Sequence, residues 1–239
     1  MIFNFDVKGL EVVCVAYLSK DPVLCKELDD GVDIHGENQK ALGLLPGKEG
    51  RLIAKIFKFR LIYGGSIFHT DPDFVDVSRS KQYWDKAIAK YYEKYKGVRA
   101  WHDKIVQEAG ATGGLTSPTG REFSFEYKPG FNGDLKLPIT QIKNYPVQSL
   151  GADIMSVLRV SIFRRVKDSG IECKFINTVH DSIVLDVKHK EDCFKLKEIF
   201  LESLGCFNDD FHKIFGIPFE LKINGEFEIG ENMYDTEVI

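Results

Sequence analysis

Four side chains in the stretch RLIAKIFKFRLIYGGS, residues 51–66, combine types and a spacing that could do chemistry. Arg51, Lys55 and Phe59 recur every fourth position, and Tyr63 continues the series. On an α-helix each lies ~40° further round than the last, so two cations and two rings share one stripe. Cations so placed can grip a triphosphate while a sugar or base packs on the rings. A solvated amphipathic helix with one apolar edge has the same spacing, and spacing alone leaves both readings open. Gly64 and Gly65 are suited to ending this helix, because glycine adopts left-handed backbone conformations without steric cost.

Stepping outward along the chain, residues 2–7 read as a strand and a helix starts at about Leu10. Asp6 stands where that strand ends, a usual place for a residue presented to a cleft, although a lone aspartate there also serves as a turn or cap residue. Residues 67–80 form a polar connector containing Asp71 and Asp73. Residues 81–108 read as a long amphipathic helix with an aromatic stripe that belongs to the core, and with a break point at Gly97. The glycine-rich GATGGLTSPTGR, residues 110–121, lacks the G-K-[ST] of a phosphate loop and reads as a turn segment; residues 122–138 read as a loop. A helix preceded by Pro146 follows, over about 144–166, with Ile154, Val157, Leu158 and Ile162 on its buried face. CKFINTVHDSIVLDV, residues 173–187, reads as two strands turning near His180 and Asp181, and PFELKINGEFEIG near the end is strand-like.

Composition narrows the function classes. Hydrophobic content of 44% and charged content of 28% fit an ordinary folded chain with a core, and no apolar run is long enough to span a bilayer. Cys14, Cys25, Cys173, Cys193 and Cys206 are odd in number and lack paired spacing, which argues against a zinc site or a disulfide framework and for reduced thiols in a cytoplasm. The net charge of −4 is not that of a typical nucleic-acid binder, but it is unevenly spread. Residues 186–239 hold 13 acidic and 6 basic side chains, which leaves the remainder at +3. Phosphate contacts are therefore expected in the first three-quarters of the chain.

These stretches resemble the motifs of family A DNA polymerases. R-x3-K-x3-F-x3-YG is similar to motif B, the fingers helix. D-x4-E at Asp6 and Glu11, followed by AYLSKDP and later GVDIH, is similar to motif A and its continuation. N-x-P-V-Q, from Asn144 to Gln148, resembles the start of a palm helix, and the HD of residues 173–187 resembles motif C. The resemblance runs over nearly the whole chain, from Ile2 to about Glu231.

The resemblance implies an α+β fold, with mostly helical fingers and a palm of antiparallel sheet and helices. Residues 1–20 would be a palm strand with motif A, 21–143 the fingers, and 144–239 the palm with motif C. It implies a template-directed DNA polymerase working with two magnesium ions held by Asp6 and Asp181. Lys55 would neutralise the triphosphate and serve as a proton donor to the leaving group, while Arg51 and His35 position the terminal phosphates. Phe59 would pack on the sugar and Tyr63 would stand at the nascent pair. Glu11 would lie under the sugar and exclude a 2′-hydroxyl, which argues against the related single-subunit RNA polymerases. Asn144 and Gln148 would touch the minor groove, whose acceptors recur at every base pair. Arg121, in the family's short hairpin ending in Gly-Arg, and His180 would be further DNA contacts. Expected partners are primer–template DNA and deoxynucleoside triphosphates, with no membrane.

Departures from the family pattern are Val7-Lys8 and Gly9 after the first aspartate, Val13, Lys58, Arg60, and Ser182 where a glutamate usually follows the motif C aspartate. Length is the larger departure. The family's thumb, first palm strands and any exonuclease lie outside these 239 residues. The expectation is the C-terminal half of a split polymerase of the kind some phages encode, working in the host cytoplasm with a separate N-terminal polypeptide. A non-catalytic fragment that binds DNA or a polymerase is the alternative.

Overall fold

Alternation in the first seven residues sets the architecture of one half of the molecule. In β1 (Ile2–Val7), Phe3, Phe5 and Val7 are buried while Ile2, Asn4 and Asp6 are half-buried. Successive strand side chains point to opposite faces, so one face of β1 is apolar and Asp6 belongs to the other. A computed structural model of the chain describes residues 1–63, 80–130 and 132–239. The glycine pair expected to end the central helix, and most of the polar connector with Asp71 and Asp73, lie outside the described residues.

The described chain divides into two compact units, one of residues 1–14 and 148–239 and one of residues 15–147. The first unit is built on an antiparallel sheet in the order β6-β7-β1-β8-β9, where β6 is Cys173–Val179, β7 Ser182–Val187, β8 Gly225–Gly230 and β9 Thr236–Val238. Phe3 and Phe5 from β1 and Phe227 from β8 meet the Phe200 ring of α8 (Lys190–Gly205), with Phe200 edge-on to all three. Helix α9 (Phe207–Phe215) adds Phe207 and Phe211, which pack with Phe219.

The second unit is mostly helical. It contains α2 (Pro22–Asp29), α3 (Ile34–Ala41), α4 (Lys48–Ile62), α5 (Lys81–Lys94) and α6 (Lys96–Thr112). Two short hairpins follow, β2 (Gly114–Thr116) with β3 (Glu122–Ser124) and β4 (Lys128–Pro129) with β5 (Leu135–Lys136). Helices α1 (Leu10–Ser19) and α7 (Ile139–Ser169) each begin in one unit and finish in the other. Trp84 and Tyr91 of the aromatic stripe are buried, as a core reading requires, and Trp84 stacks on Phe57.

Three local expectations need correction. The break in the long amphipathic stretch falls at Tyr95, not Gly97, because Gly97 donates its N–H to the buried Asp21 carboxylate at 2.7 Å and so belongs to the start of α6. Residues 122–138 are more than a loop and contribute three short strands. Pro146 lies inside α7, not ahead of it. The helix begins after Pro138, whose carbonyl accepts from Ile142 N–H. A mid-helix proline forfeits one backbone bond, but Ile142, Val147 and Leu150 are all buried around it, and that packing carries the helix through.

Burial of a histidine in α6 gives the second unit a pH dependence. His102 is 1% exposed, with its Nδ1 3.1 Å from the Tyr92 hydroxyl. Burial first, and then the Lys143 cation, push its pKa down to about 3. The unfolded chain takes up this proton near pH 6.5 while the folded chain resists it, so stability is full above that pH and falls as the solution is acidified. The expected slope is ~1.4 kcal/mol per pH unit for this one residue. Urea midpoints at pH 6.5 and 4.5 should therefore separate for the wild type, and His102→Gln should shrink the separation. An equal separation in both proteins contradicts the assignment.

Candidate active site

The sheet brings together two aspartates that are 175 positions apart. Asp6 of β1 pairs in register with Ser182 of β7 on one side and Glu226 of β8 on the other. In the β6–β7 hairpin Val179 pairs with Ser182, leaving His180 and Asp181 as a two-residue turn. His180 adopts a left-handed φ of 52°, as the first position of a two-residue hairpin turn requires. Val7 N–H donates to the Asp181 carbonyl at 2.9 Å, which fastens the turn to the end of β1. Ser182 Oγ donates to the Val179 carbonyl at 3.0 Å and closes the turn locally.

In this arrangement the carboxyl groups of Asp6 and Asp181 are close enough to act on each other. Burial, and then the charge of Asp181, push Asp6 up to about 6; Glu226 and Glu228 add to the shift. The unfolded Asp6 carboxyl ionises near 3.8 and the folded one near 6, so Asp6 lowers stability progressively between those values and the full cost persists above about pH 6. Such a cost is a mark of a functional position. Neighbours temper the charge in part, since Lys8 Nζ lies 3.5 Å from Glu226 and Asn4 donates to Glu228 at 3.2 Å. The pair fits magnesium, which takes few protein carboxylates and completes its shell with water and phosphate oxygens. No group of three or more His, Cys, Asp or Glu among the described residues is arranged to hold an ion.

In the second unit the expected stripe forms on α4, together with its partner histidine from α3. Lys55 Nζ sits 5.7 Å from the Phe59 ring centre, Phe59 stacks on Tyr63 at 6.2 Å, and His35 lies 6.1 Å from Phe59. Arg51 is engaged at both ends of its fork by Asp33, Nη1 to Oδ2 at 2.5 Å and Nη2 to Oδ1 at 2.9 Å. Burial first, then the cations Lys58, Lys55 and Arg51, drive the His35 pKa down to about 4, with Asp33 offsetting part of the effect. His35 is therefore neutral at pH 7, and its Nδ1 is buried without a hydrogen-bond partner.

The remaining expected residues are more scattered. Glu11, half-buried near the start of α1, acts with Asp153 on the buried Cys14 thiol, whose pKa burial raises. Arg121 is exposed in the β2–β3 hairpin, where its N–H donates to Ser117 Oγ at 2.9 Å and its carbonyl accepts from Ser117 N–H. Asn144 and Gln148 stand one turn apart on α7; Asn144 Oδ1 is buried without a partner and Gln148 is exposed. Asp6, Glu11, Gln148, His180 and Asp181 belong to the first unit, and His35, Arg51, Lys55, Phe59, Tyr63, Arg121 and Asn144 to the second. Sequence reading missed Asp33 and Glu226. The alternation GEFEIG placed Glu226 and Glu228 on one strand face, but only the register sets Glu226 opposite Asp6.

A family model described as DNA polymerase family A matches residues 1–233. The chain belongs to DNA polymerase family A. Similar family A relatives include DNA polymerase I of Aquifex aeolicus, 27% identical over 214 residues that cover 83% of this chain and 34% of that protein. The thermostable DNA polymerase I of Thermus aquaticus is 26% identical over 198 residues, covering 78% of this chain and 22% of its own length. The chain thus spans about a third or less of these curated relatives. A solved structure, the POL domain of Pol1 from M. smegmatis in complex with DNA primer-template and dNTP, superposes with a TM-score of 0.72 over 95% of this chain and 39% of that one, at 20% identity. That likeness shows a shared α+β fold. No helix among the described residues of this family A chain is long and apolar enough to cross a membrane.

Proposed function

We propose that this chain carries the nucleotidyl-transfer centre of a template-directed DNA polymerase. The observation that carries the reading is the Asp6–Asp181 pair, assembled at one end of the sheet from distant parts of the chain and held there against its own charge repulsion. Residues 1–20 and 144–239 then serve as palm and residues 21–143 as fingers. The boundaries of the two compact units, which fall within α1 and α7, support this division. The activity is that of a polymerase in which this chain works with the counterpart of its relatives' remaining length, joined to it or separate.

Asp6 and Asp181 are the residues that would hold two magnesium ions, whose chemistry when bound is to activate the primer 3′-oxygen and neutralise the pyrophosphate leaving group. Lys55 neutralises the triphosphate and stands as proton donor to the leaving group. Arg51 and His35 receive the terminal phosphates, with His35 entering as a neutral hydrogen-bond donor because its neighbours suppress its charge. The Phe59 ring takes the sugar, and Tyr63, stacked on it, stands at the new base pair. Glu11 gates the 2′-position. Asn144 and Gln148, with Arg121 and His180, hold the primer–template, the amides through minor-groove acceptors that report pair shape and not sequence.

Single-nucleotide extension of a primer–template by the complete polymerase tests this reading. Lys55→Ala is expected to lower kcat/KM for the nucleotide ~100-fold, by removing a cation that acts on charge developing in the transition state. An unchanged kcat/KM contradicts the assignment.

A further inference from the structure

Resting on the reading of Arg51 as a phosphate ligand, we infer that Asp33 is a positioning residue for nucleotide binding, and that it acts through Arg51. The Asp33 carboxylate accepts from both Nη groups of Arg51, and its Oδ1 also accepts from Gly36 N–H at 3.2 Å at the start of α3. One side chain thereby fixes the guanidinium of α4 and caps the helix that carries His35. The hydrogen bonds from Arg51 hold the Asp33 carboxyl below its ordinary value, so it is ionised throughout the neutral range.

The geometry leaves Arg51 able to do more than pair with Asp33. Among the described residues two of its five N–H donors are engaged, and the planar fork can turn the others to a phosphate. Both partners are about half exposed, where an ion pair adds little to stability. Its value lies in order. A free arginine side chain has many rotamers to lose on gripping a ligand, and Asp33 removes that loss beforehand by holding the planar fork in one orientation. Repulsion between Asp33 and an incoming phosphate opposes this gain, but it acts through solvent and across the width of the guanidinium, so ordering wins.

Gly36 is part of the same device. A Cβ at this position would come within 2.6 Å of Asp33 Oδ2 and 3.5 Å of Arg51 Nη1, so only glycine leaves room for the carboxylate to reach both the helix end and the arginine. Its φ lies outside the left-handed region, so alanine there meets no backbone strain and acts by displacing the Asp33 carboxylate.

The test is a steady-state series on the complete polymerase with primer–template and the complementary nucleotide. Asp33→Asn keeps an acceptor for Gly36 N–H but cannot accept twice from Arg51; Gly36→Ala displaces the carboxylate without changing any charge. Both are expected to raise the nucleotide KM ~5- to 10-fold with kcat within about twofold, the pattern of lost ground-state binding. In an Arg51→Ala background either change should shift KM by less than about twofold, because the residue it acts through is gone. If Arg51→Ala raises KM while Asp33→Asn and Gly36→Ala do not, the positioning inference is wrong and the phosphate reading stands. Equal shifts with and without Arg51 also overturn it. If Arg51→Ala leaves KM unchanged, the phosphate reading itself is wrong and the inference falls with it.

Discussion

Replacing Asp181 by alanine is expected to slow primer extension by the complete polymerase at least ~10³-fold while its affinity for primer–template stays within about threefold. The loss is that of one of the two carboxylates on which the chemistry rests. The fold has little reason to suffer. Asp181 occupies a hairpin turn, and its link to β1 runs through its backbone carbonyl, which alanine retains. Its carboxylate is instead a burden, since it helps to push Asp6 up to about 6. Removing it lets Asp6 return toward the ordinary carboxylate range, so the variant should be as stable as the wild type at pH 7 or more so. Rapid-quench extension, equilibrium DNA binding and a urea melt on one preparation check all three outcomes. Inactivity accompanied by a lower urea midpoint would mean that Asp181 is structural.

Asp21→Ala should have the largest effect on stability, a loss of about 3 kcal/mol. Asp21 is 1% exposed and serves three donors at once. Its Oδ1 accepts from Val23 N–H at 3.0 Å and Leu24 N–H at 2.9 Å, capping α2, and its Oδ2 accepts from Gly97 N–H at 2.7 Å in α6. Alanine strands all three donors in the interior, and an unmade buried hydrogen bond costs more than a made one gains. The α6 side of the contact is equally tight, because a Cβ at Gly97 would lie 2.8–3.0 Å from Asp21. Gly97→Ala should therefore destabilise through the same contact, and the two changes together should cost less than their sum. Additive losses in urea melts would show that the contact is not shared.

Much of the first unit was legible because strand parity is a local rule. Phe3, Phe5 and Val7 on one parity and Asp6 on the other already say which face is apolar, and the turn at His180 and Asp181 is flanked by apolar runs on both sides. The α4 stripe was legible for the same reason, since every fourth residue falls on one face whatever the helix packs against. Partners that are distant in sequence were not legible. Asp33 reads as an ordinary residue ahead of His35, and nothing local marks Arg51, 18 positions on, as its ion pair. Glu226 sits in a segment that reads as a strand, but only the register sets it against Asp6. Gly97 carries a glycine's breaking signal, yet the carboxylate of Asp21, 76 positions earlier, holds it in helix.

The most direct measurement is extension of a primer–template by the complete polymerase with magnesium, the four deoxynucleotides being offered one at a time. The account predicts addition of the template-complementary nucleotide alone, with extension abolished by Asp181→Ala. Primer–template that is bound but never extended would contradict the account and favour a non-catalytic DNA-binding role, and addition independent of the template would contradict the assignment of the stripe on α4.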